Sequence, residues 1–238
     1  MIKKPEFVEF IENLDKNAYR LPLYLGVDRT ESPVVVDFPD IGNIIMLGAK
    51  GTGKTMFAHT TVCSLIDSFQ PDYLEIALID LAQPEFSSYD NLPHLASTPV
   101  YESREAISLL SSMSNTVGNK YQIILIDTFS DLVINYGVIL NSILKKITSR
   151  SNTFLIMWDS KPYEEIFTPE IKDLFPSRIL FGVGRNSAEE ILSNQNFENT
   201  PIKKGEAMVF TKKNSEPLFV QCPYISDDEI SYVVNLAK

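Results

Sequence analysis

The chain has 238 residues, a formal net charge of −10 and two cysteines, Cys63 and Cys222, which lack the spacing of a metal site or a redox motif. This length fits one large α/β domain and is too short for two ordinary domains with linkers. The acidic balance excludes a general electrostatic attraction to nucleic-acid phosphates, and no apolar run approaches the roughly 18 residues of a membrane span, so we expect a soluble domain.

The N-terminal segment predicts a short amphipathic helix. Four apolar residues recur at i, i+3, i+4 and i+7 and therefore share one helix face: Phe7, Phe10, Ile11 and Leu14. Such a face needs a partner surface, which is either this domain or a preceding domain of a longer protein. We assign residues 1–20 to this helix and a linker, and residues 21–238 to a single domain.

Short apolar runs separated by helical stretches predict an α/β fold. Pro22 and Gly26 interrupt the chain before these runs begin. Strands are expected at residues 34–38, 43–47, 74–79, 121–126, 153–157 and 179–183. Helices are expected at residues 56–66, 102–114 and 137–149. Most of these strands are continuously apolar rather than alternating, which is typical of a mostly parallel central sheet with helices on both faces.

The C-terminal part predicts a hairpin and a last helix. Residues 207–210 and 218–220 flank a polar turn and are expected to pair at the margin of the sheet. Ser226 and Glu229 have the spacing of a capping box, so they predict the start of the last helix.

The most specific motif is a complete phosphate-binding loop with the pattern Gly-x4-Gly-Lys-[Ser/Thr]. It comprises Gly48, Ala49, Lys50, Gly51, Thr52, Gly53, Lys54 and Thr55. In this motif the glycines let backbone N–H groups surround phosphates, Lys54 reaches the β- and γ-phosphates, and Thr55 holds Mg²⁺. A simple surface turn is the alternative, but the loop lies between a predicted strand and a predicted helix, as the motif requires. We expect ATP and Mg²⁺ as ligands.

A phosphate-loop enzyme also needs an acidic residue at a strand end to hold Mg²⁺ through water. Two apolar runs qualify, ending in Asp80 and in Asp127. Thr128 follows Asp127, where ATPases of this general type carry a glutamate that activates the attacking water. A hydroxyl is no general base at neutral pH, so nucleotide binding and hydrolysis have to be judged separately. Asp131 is a candidate substitute, and an exposed acid at a helix start is the alternative.

Four short segments, in this order, resemble the FtsK/SpoIIIE family of phosphate-loop motor ATPases. They are Leu21-Pro22-Leu23-Tyr24-Leu25-Gly26, Pro93-His94-Leu95, Phe175-Pro176-Ser177-Arg178-Ile179 and Gly205-Glu206-Ala207-Met208. The resemblance implies a RecA/FtsK-like P-loop NTPase fold and selects Asp127 over Asp80 as the acid that holds Mg²⁺. It also makes Arg178 and Arg185 candidates for an arginine that approaches the nucleotide of a neighbouring subunit. A salt-bridge role at a strand start is the alternative for Arg178.

Two departures from the family pattern bear on hydrolysis. The acidic pair after the strand is Asp127-Thr128 here, and the segment with the family's glutamine sensor reads Trp158-Asp159-Ser160-Lys161-Pro162. Ser160 is too short to span to a γ-phosphate as glutamine would. In lacking part of the hydrolytic set, the chain is similar to the later ATPase modules of the EssC/EccC coupling proteins of type VII secretion.

That resemblance implies an ATP-binding, weakly or non-hydrolysing C-terminal module that contributes to export of small helical WXG100-type proteins. The implied partners are other ATPase modules of the same longer chain, further copies in a homo-hexamer, and secreted protein substrates, whereas DNA is disfavoured. Membrane contact would come only through regions outside this chain, which implies a soluble domain at the cytoplasmic face of the cell membrane. Two alternatives stay open: a DNA-translocating FtsK-like or conjugative coupling ATPase, and an interaction scaffold with a vestigial loop.

Overall fold

The computed structural model describes residues 7–12, 15, 18–82, 84–116, 118–160, 165–182, 203–214 and 216–238. In this part of the chain nine strands form one sheet. They are β1 (Pro22–Val27), β2 (Pro33–Asp37), β3 (Ile44–Gly48), β4 (Leu74–Asp80), β5 (Tyr121–Asp127), β6 (Thr153–Asp159), β7 (Ser177–Phe181), β8 (Glu206–Phe210) and β9 (Leu218–Gln221). Their spatial order is β2-β1-β9-β8-β7-β3-β6-β5-β4.

Helices connect and cover these strands. They are α1 (Phe7–Glu12), α2 (Phe38–Ile41), α3 (Lys54–Ser68), α4 (Ser103–Asn115), α5 (Phe129–Thr148), α6 (Pro169–Leu174) and α7 (Asp227–Leu236), with a 3₁₀ turn at Glu85–Tyr89. None of the helices among the described residues is long and apolar enough to span a bilayer.

Two hydrophobic cores lie on opposite faces of the sheet. Successive residues of a strand point to opposite sides, so Ile44 and Met46 join one core while Ile45 and Leu47 join the other. Helices α1, α3 and α7 cover the first face, and α4, α5 and α6 cover the second. Because both faces are covered, the central strands are almost continuously apolar, and the predicted α/β class with helices on both faces is confirmed.

The five strands β7, β3, β6, β5 and β4 are mutually parallel and form the centre of the sheet. Their carboxyl ends therefore meet at one edge, which is where open α/β sheets place ligands. The register pairs Asp80 with Asp127, and Leu47 with Asp159, at this edge. The predicted hairpin is the antiparallel pair β8–β9, which joins the parallel centre through β7.

Strand β1 corrects the prediction of an interruption at Pro22 and Gly26. Pro22 is the first residue of the strand, a position that needs no ladder N–H. Gly26 lies where the β1–β2 register shifts, and a Cβ there would come within 2.1 Å of the carbonyl oxygen of Gln221. In the sequence alone, Pro22 and Gly26 predict a break in regular structure. In the fold they allow a bulged strand that lies close to β9.

Helix α5 begins eight residues earlier than the predicted start at residue 137. Tyr136 has non-helical backbone angles, φ −138° and ψ 17°, so the helix is kinked next to Gly137. Phe129 and Leu132 are buried before the kink, and Leu140, Ile143, Leu144 and Ile147 after it. The kink interrupts the helical spacing between these two groups, so the apolar pattern predicted only the second group. Strand β7 likewise begins at Ser177, two residues before the predicted run, whose last residue, Val183, lies outside the described residues.

The N-terminal helix packs on this domain. Phe7 and Ile11 are buried in the same core as residues of α3 and α7, and the backbone N–H of Phe7 donates to the carbonyl of Tyr224 at 3.1 Å. The side chain of Phe10 and all of Leu14 lie outside the described residues. The division of the chain at residue 20 stays a prediction.

Candidate nucleotide-binding site

The phosphate loop joins the end of β3 to the start of α3, and its glycines are required by the geometry. A Cβ on Gly48 would lie 2.1 Å from the carbonyl oxygen of Phe181 on the adjacent strand β7. Gly53 has φ 125°, a conformation that residues with a Cβ rarely adopt. The loop is held from its other side, because Gly205 N–H donates to the Thr52 carbonyl at 2.8 Å.

Lys54 is the first residue of α3 and its side chain folds back over the loop. Its ammonium donates to the carbonyls of Gly48 and Ala49 at 2.5 and 3.1 Å. Burial lowers the pKa of Lys54, and the nearby carboxylates of Asp127 and Asp159 act in the opposite direction. Phosphate oxygens are stronger acceptors than backbone carbonyls, so this partly desolvated ammonium is suited to a nucleotide tail.

Asp127 ends β5 at the same edge of the sheet. Burial raises the pKa of its carboxyl to about 7, and the indole N–H of Trp158 lowers it by a smaller amount. That buried N–H makes no hydrogen bond of normal geometry, so its effect on Asp127 is that of a nearby dipole rather than of a direct bond. The charges of Asp80 and Asp159 raise the pKa further and that of Lys54 lowers it. The nearby donor and cation therefore do not fully offset the cost of burying a negative charge on Asp127.

Asp80 and Asp159 are buried beside Asp127 but serve the backbone. The Asp80 carboxylate accepts the N–H of Glu85 at 2.7 Å and thereby fixes the turn after β4. The Asp159 carboxylate accepts the N–H of Ser130 at 3.0 Å and that of Ser160 at 2.7 Å. Asp159 therefore holds the first turn of α5, the helix that follows β5 and Asp127.

These elements enclose a cleft of about 380 Å³. This volume lies within the range of small-molecule sites. The predicted site residues on its wall are Lys50, Gly51, Gly53, Lys54, Thr55 and Asp127. Thr128 and Ser160, the two departures from the family pattern, line the same cleft. The remaining loop residues, Gly48, Ala49 and Thr52, lie behind this wall and hold the loop in place.

The donor set fits Mg²⁺ bound together with a nucleotide. Thr55 and Asp127 both line the cleft, and their hydroxyl and carboxylate groups are oxygen donors, the ligands that Mg²⁺ prefers. A divalent cation would also favour the ionised form of Asp127, whose burial otherwise raises its pKa. Thr55 and Asp127 are therefore the residues that would hold the metal.

Outside the phosphate loop, two predicted residues that the structure describes, Asp131 and Arg178, do not line the cleft. Asp131 lies in the first turn of α5, partly buried and outside the cleft wall. Arg178 pairs with Ile45 at the opposite end of β3 from the phosphate loop, and its guanidinium donates to the carbonyl of Lys172 at 2.9 Å. Burial lowers the pKa of Arg178 to about 10, while the charge of Asp173 opposes this. Arg185 lies outside the described residues. Roles for these residues stay predictions.

Two charged residues of the cleft, Glu85 and Lys204, are not marked by any sequence motif. Glu85 comes from the turn after β4, and Lys204 from the segment before β8. Neither belongs to a motif, and no spacing along the chain links them to the phosphate loop. Only the strand order brings them there, since β4 lies beside β5, and β8 lies beside β7, which pairs with β3.

Residues 11–197 match the model of the FtsK/SpoIIIE family. Among curated proteins, the DNA translocase FtsK of Helicobacter pylori is 24% identical over 259 aligned positions, which cover 95% of this chain and 31% of that protein. The chain thus spans about a third of the length of the curated relatives it matches.

Solved structures with low sequence identity share the fold. The cytoplasmic domain of the type VII secretion ATPase EccC of Thermomonospora curvata superposes with a TM-score of 0.79 at 15% identity, covering 99% of this chain and 34% of that one. The conjugation coupling protein TcpA of pCW3, solved as a monomer with ATPγS, gives a TM-score of 0.77 at 17% identity, covering 99% of this chain and 74% of that one. Both are consistent with a P-loop ATPase fold.

Proposed function

Because this chain belongs to the FtsK/SpoIIIE family, we propose that it is an ATP-binding module that hydrolyses ATP weakly within a type VII protein-secretion coupling ATPase. The membership itself implies nucleotide binding at the phosphate loop, and Mg²⁺ is the usual companion of the nucleotide. Export of small helical WXG100-type proteins, attachment to the cytoplasmic face of the membrane through other regions, and assembly with further ATPase modules or copies of itself belong to the proposal.

One observation supports nucleotide binding and slow hydrolysis: a single cleft is lined by Lys54, Thr55, Asp127 and Thr128. The first three residues can hold a Mg-nucleotide, and the fourth occupies the position next to Asp127 without offering a base. Binding and turnover depend on different groups, so the cleft can retain affinity for ATP while its rate of hydrolysis is low.

The choice of a protein substrate is supported by charge and by shape. The chain carries a formal net charge of −10, which opposes binding along a DNA backbone. A type VII secretion ATPase, EccC, is among its structural relatives across nearly the whole chain. We therefore place a protein rather than a nucleic acid as the transported substrate.

A DNA-transferring motor is the second candidate function. It is favoured by the FtsK translocases among the sequence relatives and by the conjugation coupling protein among the structural ones. A DNA motor has to attract phosphates, so its binding should weaken steeply as salt is raised.

Two binding experiments separate these functions. The purified chain is titrated with duplex DNA at low salt in a mobility-shift assay, and with a purified WXG100-type protein from the same organism by calorimetry, each with and without Mg-ATP. The secretion proposal predicts saturable binding of the protein and no DNA shift. Salt-sensitive DNA binding, together with DNA-stimulated ATP hydrolysis, would replace it with the translocase function.

A further inference from the structure

The cleft contains a second carboxylate that no sequence motif marks. Within the described residues, Asp127 and Glu85 are the acidic side chains on its wall, together with Lys54 and Thr128. Asp127 is the residue that would hold Mg²⁺, and a group bound to the metal is poorly placed to remove a proton from water as well. Glu85 is therefore the carboxylate left for a second task.

The position of Glu85 is fixed by the fold. Its backbone N–H donates to the Asp80 carboxylate at 2.7 Å, at the carboxyl end of β4. The next residue, Phe86, is buried and packs edge-on against Trp158, with ring centroids 6.2 Å apart. Phe86 also contacts the ring of His59 on α3, at 5.4 Å between centroids. The turn is thus tied to β4, β6 and α3, and it presents the Glu85 side chain at the cleft.

The other acidic residues near this edge of the sheet either accept backbone hydrogen bonds or lie outside the cleft wall. Asp80 and Asp159 are buried and accept backbone N–H groups, as described above. Asp131 lies outside the cleft wall. Glu85 by contrast is exposed, so its carboxylate can reach a water molecule in the cleft without breaking a structural contact.

We propose that Glu85 supplies the carboxylate that is absent at position 128, orienting the attacking water and accepting its proton during the slow hydrolysis of ATP. The water oxygen forms a bond to the γ-phosphorus as one of its protons passes to Glu85. The bond from the γ-phosphorus to the β–γ bridging oxygen breaks, and its electron pair leaves with ADP. Glu85 then releases the proton to bulk water. This inference rests on the proposed function, because it requires Mg-ATP in the cleft.

The variant Glu85→Gln tests this role, since it keeps the size and polarity of the side chain and removes the base. Phosphate release at saturating Mg-ATP gives kcat, and calorimetry gives the Kd of Mg-ATP. A matched control is Glu102→Gln, which changes an exposed glutamate before α4 that makes no capping hydrogen bond and does not line the cleft. Loss of a general base lowers rates by about a hundredfold or more, so we expect kcat to fall by at least about tenfold in a site already slow.

The proposal predicts that Glu85→Gln lowers kcat with an unchanged Kd and thermal midpoint, while Glu102→Gln changes neither kcat nor Kd. A smaller fall in kcat, or a parallel loss of affinity for Mg-ATP, would overturn the assignment and leave Glu85 as a surface residue. Hydrolysis in the wild type no faster than in Lys54→Ala would overturn it too. Failure of the wild type to bind Mg-ATP at all would instead reject the proposed function.

Discussion

Replacing Asp127 by Asn should stabilise the nucleotide-free protein at alkaline pH. Burial raises the pKa of this carboxyl from 3.8 to about 7. The folded protein therefore binds the proton of Asp127 more tightly than the unfolded chain does. The resulting contribution to the free energy of unfolding is fully present below pH 3.8 and is lost as the pH rises through about 7. At about 1.4 kcal/mol for each pKa unit, the ionised carboxylate costs about 4 kcal/mol at pH 8.5.

Water in the cleft screens part of this charge, so we expect Asp127→Asn to raise the free energy of unfolding by about 2 to 4 kcal/mol at pH 8.5. The gain should shrink by about half at pH 5.5, because the wild-type carboxyl is then mostly protonated in the fold. Urea unfolding in EDTA measures both values. Ser160→Ala, a neutral change in the same cleft, should give a difference that does not vary with pH.

The reasoning would be refuted by a difference that is equal at the two pH values, or by a variant less stable than the wild type at pH 8.5. A second readout links the stability cost to function. Because Asp127 is the carboxylate that would hold Mg²⁺, the variant should lose the part of the ATP-induced thermal shift that depends on Mg²⁺.

Three further substitutions test the loop, the core and the cleft wall. Gly53→Ala, at φ 125°, should destabilise the protein by about 1 to 3 kcal/mol and weaken Mg-ATP binding, whereas Gly118→Ala, which meets no atom within 4 Å, should not; urea unfolding and calorimetry measure the two effects. Burial lowers the pKa of His59 from 6.5 to about 4, so the unfolded chain protonates first on acidification, and the stability of the wild type relative to His59→Phe should fall by about 3 kcal/mol from pH 7 to pH 4 in urea unfolding. Lys204→Ala should weaken Mg-ATP binding by removing a cation from the cleft wall, while Lys212→Ala on the surface should leave the Kd measured by calorimetry unchanged.

The parallel centre of the sheet was predictable because its signal is local. A strand buried on both faces is apolar at nearly every position, so β4, β5 and β6 stand out from their surroundings within one or two residues. The phosphate loop was predictable for a related reason, since backbone contacts to phosphate demand glycine at fixed positions such as Gly53.

Features that depend on neighbours distant in sequence were not predictable. In the sequence, Pro22 and Gly26 predict an interruption. In the fold they belong to the bulged strand β1, which pairs with β9 from the far end of the chain. Glu85 and Lys204 are ordinary surface residues in the sequence, and only the strand order places them at one cleft. Asp80 and Asp127 looked equivalent as strand-end acids, and they differ because the Asp80 carboxylate accepts the N–H of Glu85.

A calorimetric titration with Mg-ATP tests the central claim most directly, because one trace reports both binding and turnover. Binding gives heat that saturates, and continuing hydrolysis displaces the baseline after each injection. We predict saturable heat with a small displacement in the wild type, and neither in Lys54→Ala. Absence of saturable heat in the wild type would contradict nucleotide binding, and a displacement equivalent to about 10 turnovers per second, typical of an ordinary enzyme, would contradict weak hydrolysis.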